Sequence, residues 1–302
     1  MRIILFSFLL VGVVSSICPA GINVRDYGAV GNGSHDDTNA IRNAVKAART
    51  QAQSGAGSCS SSNFITLPEL IFPSGKYRIT DEIELTDFVI HGMGEAAIIQ
   101  SNINKSIFKT SSARRLTFFG LTFVDGRKHL DLTLKNLDAS QVIVEHCRFY
   151  CASALAIEIN PGSDSTQLII KDSVFIQNKQ TLITRNQQTE MLDCWITSND
   201  SMADMAVIEH RGNQLNMDNI LLVPIGSDPR RRWIDNYGSI SCRTVRFGGE
   251  GGGFTPVVNF AKYRSSQQGP MIVLDTCQQI SARGNHLRQC AVYCHEVPNA
   301  II

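Results

Sequence analysis

The sequence predicts an all-β fold, a parallel β-helix solenoid closed at its N-terminal end by one α-helix. Three observations predict it: short alternating strands that recur about every 25 residues, polar or glycine turns between them, and a single helix-period stretch within the first 50 residues.

The strands come first. LTFFGLTF (116–123), VIVEHCRF (142–149), LIIKDSVF (168–175), TEMLDCWI (189–196), QLNMDNILL (214–222), ISCRTVRF (240–247) and IVLDTCQQ (272–279) share one shape. One equivalent position in them reads Leu121, Cys147, Ser173, Cys194, Asn219, Val245 and Cys277, at steps of 26, 26, 21, 25, 26 and 32. A second series follows at a similar offset: LDLTL (130–134), ALAIEIN (154–160), TLITRN (181–186), AVIEHR (206–211), WIDNY (233–237) and VVNFA (257–261). No such coil can bury its own apolar side chains, whereas stacked coils share one core. The Leu-x-x-Leu-x-Leu frame of leucine-rich repeats is missing. Adjacent rungs lie about 4.8 Å apart, so residues one period apart become neighbours.

An open solenoid end exposes backbone groups and core, and it needs a cap. NVRDYGAVGNGSHDDTNAIRNAVKAA (23–48) supplies one. Asp37 is placed to cap a helix starting at Thr38, its carboxylate accepting from the first-turn amides. Ala40, Ile41, Ala44, Val45 and Ala48 then share one face. Gly28, Gly31 and Gly33 turn the chain before it. Their spacing is not that of a dinucleotide turn, no Gly-Lys-Ser/Thr phosphate loop occurs, and the EF-hand order is absent. Residues 50–63, TQAQSGAGSCSSSN, read as a polar link around Cys59.

The 302 residues suit one elongated domain, here 21–302, with 21–64 as cap and loop. Residues 1–20 read as a signal peptide: Arg2, the apolar run IILFSFLLVGVV, then small residues, with cleavage after Ser16 or Ala20. The predicted location is therefore extracellular. Lys plus Arg number 28 and Asp plus Glu 27, which gives no reason to seek nucleic acid or, once the signal is gone, a membrane. Nine cysteines become eight without Cys18, a number that permits disulfides without fixing them. Cys147 with Cys151 and Cys290 with Cys294 are local candidates; Cys147 and Cys194 stand two rungs apart, about 10 Å, too far to bond. Asn32, Asn104 and Asn199 open N-glycosylation sequons. The chain closes on PNAII without an evident cap, which leaves self-association through that end as a predicted contact.

INVRDYGAVGNGSHDDTNAIRNAVKAA, FPSGKYRI (72–79) and IHGMGEAAII (90–99) together resemble the N-terminal signature of the pectate-lyase-like right-handed parallel β-helix superfamily, in its rhamnogalacturonase/epimerase-like branch. The resemblance implies a right-handed helix of three parallel sheets. It also implies secreted or particle-bound proteins that act on polysaccharides lying along an outer-sheet groove. The polygalacturonase strings Asn-Thr-Asp, Gly-His-Gly and Arg-Ile-Lys are absent, and the Asp36-Asp37 pair belongs to the cap. Fold therefore transfers better than activity.

Chemistry is sought on the outward positions of the second strand series. Glu158, Thr184, Glu209 and Asp235 follow at steps of 26, 25 and 26 and read as one vertical row. Glu209 and Asp235 would stand one rung apart, the separation of about 5–5.5 Å that suits a retaining glycosidase. Glu158 and Glu209, two rungs apart, approach the inverting range. One carboxyl of a close pair would keep its proton as general acid. Arg185 and His210 are candidates for proton carriage or for a sugar carboxylate. Arg230, Arg231 and Arg232 in DPRRRW are candidates to grip an anionic sugar, unless simply solvated. DGRKHLD (125–131), with His129, is either one end of the groove or a solvated turn. Asp172, Asp193, Asp218 and the Glu145-His146 pair recur as corner residues. No metal-ligand spacing appears.

The function these residues predict is a secreted glycoside hydrolase with paired carboxylates and no cofactor. Two alternatives stand beside it: a uronate lyase, for which calcium would be the cofactor, and a non-catalytic glycan-binding or structural solenoid.

Overall fold

The computed structural model describes residues 21–55, 67–134, 140–160, 166–185, 187–197, 205–223, 234–236, 239–247, 258–259, 271–275 and 291–295. They form a right-handed parallel β-helix with one N-terminal helix, as the sequence predicts. The strands fall into three parallel ladders. Ladder one runs from Ile22–Asn23 through Ser140–Glu145 and Thr166–Lys171 to Ala291–His295. Ladder two runs from Asn32–Asp36 through Arg148–Tyr150 and Trp195–Thr197 to Arg246–Phe247. Ladder three is the eight-stranded sheet from Ile83–Glu84 to Val258–Asn259.

Each ladder sends one side-chain column inward. In ladder one Ile90, Phe118, Val144, Ile170, Met191 and Met217 are rung partners and all are buried. In ladder two the column is Tyr77, Ile98, Phe123, Phe149, Phe175 and Ile196, also buried. In ladder three it is Ile83, Phe108, Leu130, Ile157, Leu182 and Ile208. The period-2 alternation of each short strand thus becomes a continuous core when the coils stack.

The corner between ladders one and two is built by single residues in the left-handed conformation: Gly120, His146, Asp172, Asp193, Asn219 and Thr244, with φ between 46° and 67°. Glycine, asparagine and aspartate tolerate that conformation best, which explains the recurring polar residue. The assignment of Asp218 and Asn219 is corrected by one place. Asp218 is a strand residue paired with Leu192 and Arg243, and Asn219 turns the corner. The buried column then continues through Ile220, next to Cys194, rather than Asn219.

The capping helix α1 spans Thr38–Gly55, running into the segment read as a link. Ala40, Ile41, Ala44, Val45 and Ala48 are all buried, so its apolar face plugs the first coils. Asp37 holds the N-cap position, its carbonyl accepting from Ile41 N, but its carboxylate is not aimed at the first turn. That fully buried carboxylate accepts from the amides of Val30 (2.8 Å) and Gly31 (3.0 Å) and contacts His35 Nδ1 (2.9 Å). Asp36 accepts instead from Thr38 N at 3.1 Å. The reason is the glycine loop. Gly31 has φ 67°, and a Cβ there would lie 2.9 Å from the Tyr77 ring, so the loop folds tightly and brings its amides to Asp37. Asp37→Ala would leave the buried Gly31 donor and the partly buried Val30 donor unmatched. The expected loss is about 2–4 kcal/mol from unmatched donors of this kind. It is measured by the urea midpoint, with faster amide exchange at Val30 and Gly31.

Cys147, Cys151 and Cys194 carry free thiols, which corrects the Cys147–Cys151 pairing: Cys147 is buried in the core and Cys151 is exposed. Burial pushes the Cys147 and Cys194 thiols up to about 12, so they are inert packing groups. The Cys290–Cys294 pairing and residues 1–20 lie outside what is described.

Candidate functional site

The outer face of ladder three carries a charged row whose order follows from backbone register. Successive rung partners are Glu84, Lys109, Asp131, Glu158, Ile183, Glu209, Asp235 and Asn259. Glu209 and Asp235 are therefore direct partners on adjacent rungs, about 4.8 Å apart along the stack. Glu158 belongs to the same row, two rungs from Glu209 with Ile183 between.

Two expectations are corrected by the same register. Thr184 is not in the row; it pairs with Ile159 and His210 and is buried. His210 is fully buried on that inward column, so it cannot carry a proton to a ligand on the outer face. A slip of one residue exchanges the two faces of a strand. In DGRKHLD the residues divide similarly. His129 is fully buried against Phe123 and Phe149, while Lys128 and Asp131 join the outer row.

Cations alternate with these carboxylates. Lys128 Nζ lies 2.5 Å from Glu158 and 3.1 Å from Asp131. Arg185 Nη1 reaches Glu158 at 3.2 Å and Asn160 at 2.5 Å. Arg211 Nε donates to Glu209 Oε1. Burial acts to raise the Glu158 carboxyl, but Lys128 and Arg185 outweigh it and hold it below the usual carboxylate range. Glu158 is therefore an ionised group, suited to base, nucleophile or charge-partner roles rather than to donating a proton. The pairing of Glu209 with Arg211 was legible in principle, because residues two apart on a strand face the same way.

Arg230, Arg231 and Arg232 lie outside the described residues, as does Asn199; Asn32 and Asn104 are exposed. One metal-competent group occurs among the described residues: Glu145, His146 and Asp172, at the corner of ladders one and two. Lys171 stands 3.4 Å from Glu145 and 3.7 Å from Asp172, so a side-chain cation already balances those carboxylates. A larger hollow of about 640 Å³ lies between α1 and the first rungs of ladder three, lined by Arg42, Lys46, Arg49, Lys105 and Lys109 against Asp81, Glu82 and Glu84. Arg42 and Lys105 both pair with Asp81, at 2.7 and 3.1 Å, which fastens the cap to the coil.

A family model described as rhamnogalacturonase A/epimerase, pectate lyase-like, matches residues 21–222. No curated protein matches the sequence. Among solved structures, ORF18 of Geobacillus virus E2 is 17% identical with a TM-score of 0.45; the alignment covers 92% of this chain and 60% of that one. PfbA, a surface adhesin of Streptococcus pneumoniae, is 13% identical with a TM-score of 0.48, covering 93% of this chain and 90% of the adhesin. The A-module of the Azotobacter vinelandii mannuronan C-5 epimerase AlgE4 is 13% identical with a TM-score of 0.39, covering 93% and 99%. These are likenesses of fold. The chain spans 60% of the length of the viral protein.

Proposed function

Because the chain belongs to the rhamnogalacturonase A/epimerase, pectate lyase-like family, we propose that it is a secreted polysaccharide-active protein that hydrolyses glycosidic bonds on the outer face of ladder three. The observation that carries this reading is the pairing of Glu209 with Asp235 on adjacent rungs. The stack separation falls near the distance of about 5–5.5 Å at which one carboxyl attacks the anomeric carbon and the other serves as acid and then base. Arg211 donates to Glu209 Oε1 and so holds that carboxylate in place, which suits the nucleophile; the proton transfers are assigned to Asp235. Glu158, Lys128 and Arg185 extend the face by two rungs and would hold the neighbouring sugars. The signal-like residues 1–20 support export.

The test is release of reducing ends from pectic, β-glucan and uronate polymers, with anomeric configuration followed by NMR. Turnover with retention is expected. Glu209→Gln and Asp235→Asn should each reduce it by about 100-fold or more, the scale of losing a positioned acid–base or nucleophilic group. Absence of wild-type turnover, or wild-type rates in both variants, removes the reading.

One observation favours a second reading, elimination on a uronate polymer. Lys128, Arg185 and Arg211 place three cations along the row, as neutralising sugar carboxylates would require. An unsaturated, ultraviolet-absorbing product whose formation is chelator-sensitive would identify it.

A further inference from the structure

Trp195 is exposed at 44%, the one aromatic among the exposed large hydrophobic side chains of the described residues. It projects from ladder two, between its rung partners Val174 and Leu221. The three form an apolar floor beside a depression of about 410 Å³, within the size range of small-ligand sites, roughly 300–1,000 Å³. The rim is the left-handed corner, where Asp172, Asp193 and Asn219 have φ of 46°, 52° and 52°. Asn219 Nδ2 donates to Asp193 Oδ1 at 2.6 Å, which fixes both side chains and leaves the second Asp193 oxygen as an acceptor. No cation is among the residues lining the depression, and Asp193 gives it a local charge opposite to that needed for an anionic sugar, Asp172 being already paired with Lys171 at 3.7 Å.

We propose that this depression is a saccharide-binding site for a neutral polysaccharide, separate from the charged row on ladder three. The indole presents a flat apolar surface that fits the C–H face of a pyranose ring, while Asp193 and Asp172 accept hydrogen bonds from its hydroxyls. Val174 and Leu221, one rung to either side, widen the floor along the solenoid axis, so a chain rather than a single ring is the ligand. The inference rests on the polysaccharide reading but not on catalysis: Trp195 and Glu209 occupy different ladders, so each can fail alone.

The experiment is calorimetric titration of the full chain with soluble β-glucan, xylan and mannan, and with polygalacturonate as the anionic control. At least one neutral polymer is expected to bind, with Trp195→Ala weakening it by tenfold or more and Asp193→Asn by a smaller factor. Polygalacturonate affinity should be the same in wild type and Trp195→Ala. Sedimentation and thermal unfolding of Trp195→Ala should match wild type, since the ring packs into no core column. Binding of none of the three neutral polymers, or unchanged binding in Trp195→Ala, overturns the proposal. A change of sedimenting mass in that variant also overturns it, by showing that the surface meets protein. Neutral-polymer binding that Trp195→Ala loses, in a protein that releases no reducing ends, would remove the catalytic reading and leave this site standing.

Discussion

Replacing Phe149 by alanine is expected to destabilise the solenoid by about 3–5 kcal/mol, the usual cost of emptying a buried aromatic site. Phe149 is fully buried and stacked on both sides, with ring centroids 4.8 Å from Phe123 and 4.7 Å from Phe175. The interplanar angles are 17° and 4°, so the rings form a near-parallel stack at one rung spacing. Truncation removes two stacking contacts and leaves a cavity that cannot close. The rungs above and below are held at fixed spacing by backbone hydrogen bonds, so relaxation is limited. Stability in a stacked array is the sum of coil terms and neighbour interfaces. The variant should therefore lose its two-state transition and melt from the middle coils outward. Phe149→Leu should recover much of the loss. The measurement is urea unfolding followed by circular dichroism together with hydrogen exchange. A loss below about 1 kcal/mol would mean that the coils repack freely, contrary to the close packing argued for protein cores.

What the sequence disclosed follows the same geometry. The coil period was legible because the corner residues and the inward columns obey two independent constraints, left-handed φ and burial, that recur together. The partnership of Glu209 and Asp235 was legible for the same reason: both lie at the same offset from the apolar column residues Ile208 and Ile234. Thr184 and Asn219 were misplaced by one residue because the steps of the repeat vary between 21 and 32, and counting does not reveal which turn absorbed the change. A one-place slip is invisible in spacing yet reverses the facing of the side chain. The alternative Ile183, apolar but outward, broke the pattern that counting relied on. Asp37 was assigned the ordinary capping geometry, and only the close approach of Gly31 to Tyr77 shows why its carboxylate serves the loop. Arg185 was read as a partner for a ligand, and it holds Glu158; Arg211, which was given no role, holds Glu209. Ion pairs across rungs depend on side-chain reach, which a linear pattern does not encode.

Acid should destabilise this protein through His129 in particular. Its imidazole is fully buried, stacked on Phe123 at 6.1 Å and beside Phe149 at 5.7 Å, and neither ring nitrogen makes a well-formed hydrogen bond among the described residues. Burial lowers its pKa to about 3, and the backbone near Tyr150 and Asp125 offsets only part of that. The unfolded chain would titrate the same group near 6.5. Above pH 6.5 the ring is neutral in both states and contributes no pH dependence. Between about 6.5 and 3 the unfolded state binds a proton that the folded state refuses, so stability falls with pH by about 1.4 kcal/mol per unit. The full contribution approaches roughly 4–5 kcal/mol near pH 3, where it levels off. His129→Leu removes the titration and the two unmatched nitrogens. It should be near wild type in stability at pH 7 and about 3 kcal/mol more stable than wild type at pH 4. Denaturant midpoints for both chains across this range give the difference directly, and the carboxylates common to both cancel in it. A difference that stays constant with pH would mean that the imidazole reaches solvent or a proton acceptor in the folded state, and that the aromatic column around Phe123 and Phe149 opens at that coil.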